Sequence, residues 1–213
     1  MKEFLGEVLT QRMQRTAKAL EKNRMEAYLV SSKEEVLPLI RSLLHPQDVV
    51  AVGGSVTLDE CGVLELLRCG DYQFLDRYAP GLTAEEIGEI YRKSFFADAY
   101  LCSSNAVTEN GELYNVDGNA NRVAAMTFGP KQVILVVGVN KIVPDLAAAE
   151  RRVQEIAAPA NCKRLSCKTP CAVTGRCADC SGDGRICCTA VIHRQQREAG
   201  RIKVILVGEE LGF

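Results

Sequence analysis

The sequence predicts an α/β fold: a mostly parallel sheet sandwiched by helices, with an antiparallel hairpin and a cysteine-rich loop inserted into it. Three observations predict it. Short apolar runs of strand length alternate with helix-compatible stretches through the first half of the chain. An Asn-Gly pair then breaks that rhythm between two short runs, a strong hairpin pattern. Finally, QVILVVGV is apolar on almost every residue, as a strand covered on both faces requires. The length of 213 residues is enough for one such domain, 1–213, with a full core.

Taken in order, Phe4, Leu5, Val8, Leu9, Met13, Ala17 and Leu20 share one helical stripe and predict a first helix over about 2–24. AYLV, DVVAV, YQFL and ADAYL follow as strands, separated by helical stretches at Glu34–Leu44, Thr57–Leu67 and Ala84–Phe95. Such alternation implies parallel pairing, because each helix carries the chain back to the same edge of the sheet. NAVT and ELYNV form the hairpin around Glu109-Asn110-Gly111. A short helix over Asn121–Phe128 stops before Gly129-Pro130, and QVILVVGV becomes the central strand. Pro144 opens a helix containing Leu146–Ile156. Beyond it the amphipathic period fails, so a loop is expected over about 158–190, before KVILVGE supplies a last strand.

Charge excludes some functions. Lys plus Arg number 26 against 27 for Asp plus Glu, a net charge of -1, so no overall field draws the chain to nucleic acid or an acidic membrane. The start, MKEFLGEVLTQRMQR, turns charged before any signal-peptide core forms. Val133–Val139 is far shorter than the ~20 residues of a membrane-spanning helix. No nucleic-acid partner, no membrane span and a cytoplasmic location are expected; a homo-oligomer is compatible with all of this.

Ten cysteines without a secretory signal read as thiols or metal ligands rather than as a disulfide framework. Cys61, Cys69 and Cys102 sit in apolar surroundings and read as small buried hydrophobes. The other seven are spaced C-x4-C-x3-C-x5-C-x2-C-x6-C-C from Cys162. The compact set Cys171, Cys177, Cys180 and Cys187 is the candidate metal site, for an iron–sulfur cluster or Zn. Gly175, Gly182 and Gly184 would let the backbone wrap it, and the basic residues nearby would favour thiolates. The spacing is neither that of a ferredoxin nor that of a zinc ribbon, so the metal stays open. His193, just past the loop, is a fifth ligand candidate, although a solvated or core role is commoner.

Two further segments carry candidate chemistry. AVGGSVTLDECG reads as a strand entering a helix through a Gly-Gly turn, with Thr57 as N-cap; Gly53, Gly54 and Ser55 are candidates to receive an anion at the sheet's carboxyl edge. The hairpin tip presents Glu109 and Asn110, and the loop after it supplies Asn115, Asp117, Asn119 and Arg122, groups suited to a carboxylate, phosphate or hydroxyl-bearing ligand. Lys141 follows the central strand as a charge at the sheet edge, though solvated lysine is the commoner outcome.

AVGGSVTLDECG, TENGELYNVDGNANRVAAMTFGPKQVILVVGVNKIV and LSCKTPCAVTGRCADCSGDGRICC, in this order, resemble a LUD-domain protein over nearly the whole chain. The resemblance implies a NagB/RpiA/CoA-transferase-like fold and a family named for lactate utilisation, some of whose members work beside iron–sulfur proteins. It implies an accessory or redox component in utilisation of lactate or a similar small organic acid, with the metal centre in the cysteine-rich loop marking a subgroup. Iron–sulfur redox proteins would then be partners. The alternative is an enzyme similar to CoA transferases or sugar-phosphate isomerases, because Thr108-Glu109-Asn110-Gly111 is similar to the Ser-Glu-Asn-Gly motif of CoA transferases. That similarity would make Glu109 a catalytic nucleophile and the cysteines structural. The chain departs from that pattern in its Thr and in having one domain where CoA transferases use two.

Overall fold

Val133, Leu135 and Val137 face one apolar cluster while Ile134 and Val136 face another, and all five are fully buried, so this run separates two cores. The fold is that of a computed structural model describing residues 2–213. In chain order the first half holds α1 (Lys2–Lys22), β1 (Glu26–Val30), α2 (Val36–Leu43), β2 (Val49–Val52), α3 (Val56–Glu60), α4 (Val63–Leu67), β3 (Gln73–Leu75), α5 (Ala84–Lys93) and β4 (Ala99–Cys102). The second half holds β5 (Ala106–Thr108), β6 (Leu113–Asp117), α6 (Asn121–Thr127), β7 (Gln132–Gly138), β8 (Ile142–Val143), α7 (Leu146–Arg152), α8 (Ala158–Arg164), α9 (Pro170–Thr174), β9 (Thr189–His193) and β10 (Ile202–Val207).

Six strands form a sheet in the order β1-β10-β7-β4-β2-β3, with every neighbouring pair parallel. Side chains of α1 and α6 (Met13, Ala17, Leu20, Ala125, Met126) cover one face, and those of α2, α3 and α4 (Ile40, Leu58, Leu66) cover the other. A second, four-stranded sheet runs β8-β5-β6-β9; β6 is antiparallel to both neighbours and β8 is parallel to β5. The α/β class, the parallel sheet and the hairpin match the expectation from sequence.

Several elements differ, each for a local reason. The helix expected over Thr57–Leu67 is two short ones, because Gly62 takes a left-handed φ of 70° between them. Its cap is Ser55, whose side chain accepts from the Leu58 N–H, while Thr57 is buried inside the first turn. The helix opened by Asp145, whose carboxylate caps Ala148 N–H, does not stop near Ile156. It widens into a π-helical stretch, Val153–Ala157, and runs on through Pro159 to Arg164. Proline offers no N–H to the carbonyl one turn back, and a widened turn relaxes that demand. The segment expected as a loop from 158 therefore begins as helix. Pro170 opens a further short helix, and β9 pairs antiparallel with β6 where no strand was expected.

Helix α1 meets the core from Leu9 onward. Met13, Ala17 and Leu20 are buried, whereas Phe4, Leu5 and Val8 are exposed. Its end is pinned by the hairpin: Asn23 Nδ2 donates to the carbonyls of Asn110 and Gly111 at 2.9 Å. A Cβ on Gly111 would lie 2.5–2.7 Å from the Ala19 and Leu20 backbone, and its φ of 77° also favours glycine. Among the described residues no helix is long and apolar enough to cross a membrane.

Candidate functional site

At the carboxyl end of β4 the chain leaves the parallel sheet through Ser103-Ser104-Asn105 and enters the second sheet as β5. Arg122, in the first turn of α6, holds that crossing together. Its Nε donates to Asp117 Oδ1 (2.9 Å), and its two Nη groups reach Asp117 Oδ1 (2.6 Å), Asn115 Oδ1 (2.6 Å), Asn105 Oδ1 (2.9 Å) and the Ser103 carbonyl (2.9 Å). Asp117 Oδ2 accepts from Val123 N–H, so the carboxylate is used on both oxygens. A guanidinium has five N–H donors, and here all are committed to the protein. Arg122 is thus a fastener rather than a free anion receptor; Asn115 Oδ1 also accepts from Ser104 Oγ, while its buried Nδ2 has no partner among the described residues.

Lys141 ends a single 3₁₀ turn after β7 and is only 3% exposed, contrary to the solvated fate commonest for lysine. Nζ donates to Thr57 Oγ1 at 2.8 Å and Ser103 Oγ at 3.1 Å. Among the described residues no carboxylate forms an ion pair with it. Burial, reinforced by the Arg152 and Arg122 guanidiniums, pushes its pKa down to about 7.

These groups border a cavity of about 630 Å³. Of the residues singled out in the sequence, Gly54, Ser55, Asp117, Asn119, Arg122 and Lys141 line it. Arg164, Asp183 and Arg185 join them from the cysteine-rich segment, and Arg77, Ser103 and Asn105 from segments that carried no motif. Arg185 pairs with Asp179 and Arg122 with Asp117, but Arg77 and Arg164 have no carboxylate partner among the described residues. Arg77 instead stacks over the Tyr78 and Tyr91 rings, at 5.1 and 4.7 Å from their centroids. Arg164 is held by Asn161 Oδ1 at 2.8–3.0 Å.

The other candidates lie elsewhere. Gly53 is a packing position: a Cβ there would meet Arg122, Cys102 and Tyr100 at 3.1 Å. Glu109 is outside the cavity, paired with Arg12 (2.8 Å) and Arg15 (3.1 Å) of α1, and Asn110 lies at the same hairpin tip.

Cys162, Cys171, Cys177, Cys180 and Cys187 line a second, much smaller void of about 20 Å³. All ten cysteines are free; Cys61 and Cys102 are buried as expected, while Cys69 is exposed. Burial and neighbouring sulfurs raise the Cys162 thiol to about 12 and the Cys187 thiol to about 11, so the surrounding basic residues do not make these two thiolates. Among the described residues no group of three or more His, Cys, Asp or Glu is arranged to hold a metal ion. His193 belongs to β9, where its Nε2 lies 3.1 Å from Thr127 Oγ1; burial and the Arg201 and Arg122 charges push its pKa down to about 4. Arg185 and Ile186 line both voids, so one segment walls the thiol cluster and the larger cavity.

A DUF162 family protein from Deinococcus radiodurans is similar over 93% of this chain and 98% of its own, at 18% identity and a TM-score of 0.53. Partial similarity extends to eIF2B beta from Chaetomium thermophilum, at 16% identity over 54% of this chain and 43% of that one, with a TM-score of 0.37. No curated protein matches the chain. Residues 13–207 match the LUD domain. The chain therefore belongs to the LUD-domain family, and at family level it is of the lactate-utilisation type.

Proposed function

We propose that this chain is an accessory or redox component in the utilisation of lactate or a similar small organic acid, and that its larger cavity receives the acid. The observation that carries this reading is the gathering of Arg77 and Arg164, neither with a carboxylate partner among the described residues, around one space of about 630 Å³. A cation in a partly desolvated cavity forms strong charge-assisted hydrogen bonds to a carboxylate or phosphate. The volume also admits a larger organic acid or a phosphorylated ligand. Calorimetry with lactate, pyruvate and phosphate, set against neutral lactamide, tests this. Acid binding should weaken by about tenfold in Arg77→Ala and in Arg164→Ala, the loss of one charge-assisted contact. Equal affinity for lactamide, or no binding of any anion by folded protein, would refute it.

In the same reading Cys171, Cys177, Cys180 and Cys187 hold an iron–sulfur or zinc centre, with Cys162 beside them at the same void. The donor chemistry suits either metal, because every donor is sulfur. Ligation would require the buried thiols to lose protons and draw together. Purification without oxygen, followed by a visible spectrum and iron, zinc and acid-labile sulfide analysis, decides the matter. Stoichiometric iron and sulfide would make the protein a redox component facing iron–sulfur partners; zinc alone would make the segment structural. Metal-free protein that also resists reconstitution removes the centre and leaves acid binding standing.

A further inference from the structure

We propose that the Lys141 amine condenses with the carbonyl of a 2-oxo acid held in the large cavity, forming an imine at Nζ and releasing water. The inference rests on the acid-binding reading and adds covalent chemistry to it. Lys141 is the one buried lysine among the described residues, and it stands at the cavity wall. A lysine buried for structure is ordinarily paired with a carboxylate, as even the partly buried Lys203 is with Glu26 at 2.9 Å. Among the described residues Lys141 has two hydroxyl oxygens, Thr57 Oγ1 and Ser103 Oγ, for partners.

The charged groups facing it come from three elements. Arg152 of α7 and Arg122 of α6 oppose its protonation, while Glu60 of α3 favours it more weakly; the adjacent Cys61 also bears on it. Arg152 is itself locked to the carbonyls of Asn140 (3.1 Å) and Asn105 (2.7 Å), so it stays close. The outcome is an amine with an available lone pair near neutral pH, the state an imine-forming lysine needs. A 2-oxo acid carries a carboxylate next to its carbonyl, and the same cavity offers unpaired guanidiniums for that carboxylate.

The balance is simple. The Nζ lone pair attacks the carbonyl carbon, and the carbonyl oxygen takes the proton that nitrogen sheds, giving a carbinolamine. Loss of its hydroxyl with the remaining nitrogen proton releases water and leaves C=N. Thr57 and Ser103 are placed to pass those protons. No oxidant or reductant takes part.

The test treats the full chain with pyruvate and sodium borohydride, which delivers hydride to the imine carbon while solvent protonates nitrogen. One addition of about 72 Da should map by peptide mass to Lys141, and none should form with lactate or acetate, which lack the carbonyl. The yield should rise as pH passes about 7, where the amine loses its proton. Lys141→Arg should keep the charge and give no adduct. If that variant fails to fold, the wild-type peptide map still locates the adduct. An unmodified Lys141 peptide, or label spread over exposed lysines alone, overturns the proposal. Calorimetry separates the two readings: pyruvate binding without an adduct refutes the imine alone, whereas absence of any acid binding refutes both.

Discussion

Arg122→Met should lower the unfolding free energy by about 3–5 kcal/mol, the cost of leaving a buried charge without its partner. Asp117 would lose both of its guanidinium contacts while remaining buried, and the oxygens of Asn115, Asn105 and Ser103 would lose a donor as well. A folded domain has only about 5–15 kcal/mol in hand, so this one change would bring the protein near its unfolding threshold at moderate temperature. Urea unfolding followed by circular dichroism measures it, since the chain has no tryptophan to report by fluorescence. Arg12→Met is the control. It breaks a pair with Glu109 whose side chains are a quarter exposed, and should cost no more than about 1 kcal/mol. Adding Asp117→Leu to Arg122→Met should recover part of the loss, because the stranded carboxylate is then gone. An Arg122→Met protein as stable as the Arg12→Met control would show that the network does not hold the crossing between the sheets.

The parallel sheet and the hairpin were legible because each rests on local patterns: apolar runs such as DVVAV and the Asn-Gly turn. The helix across Ala158–Arg164 was not, because Pro159 reads as a breaker in any local window and only the preceding π-helical stretch accommodates it. Strand β9 was hidden for a different reason. TAVIH directly follows the cysteines, and its pairing partner β6 lies more than 70 residues earlier in the chain.

Part of the candidate cavity was legible for the same local reasons. Asp117 ends β6 of the second sheet, while Gly54 and Ser55 follow β2 at the carboxyl end of the parallel sheet, where such a sheet places its ligands. Ser103 sits at such an end as well, after β4, and topology alone could have named it. Arg77 belongs to no motif and reaches the cavity from a stretch after β3; Arg164, in the cysteine-rich segment, reaches it from a helix expected as loop. Arg122 lines the cavity, but its donors are spent within the protein. A sequence shows that an arginine is near acidic and amide residues, but not that every donor is already engaged.

Lys141→Met should make the protein more stable at neutral pH by about 2 kcal/mol, the opposite of what losing two hydrogen bonds would suggest. In the unfolded chain this lysine titrates near 10.5, and in the fold near 7. Between those values the unfolded state binds one more proton, so wild-type stability rises with pH across the window and is lowest below about 7. The separation corresponds to about 4–5 kcal/mol at one pKa unit per 1.36 kcal/mol. Leaving the Thr57 and Ser103 hydroxyls without Nζ costs about 1 kcal/mol each, which gives the smaller net gain. The advantage of Lys141→Met should therefore shrink steadily as pH rises and vanish before 10.5. Urea unfolding of both proteins at several pH values across that range reads the difference directly, and other alkaline titrations cancel between them. A variant less stable than wild type at neutral pH, or a gap that ignores pH, would mean that Lys141 is comfortable where it lies. A gap that follows the window would mean that the fold carries an unpaired buried amine at a cost in stability, which ties the residue to chemistry at the cavity rather than to holding the sheets together.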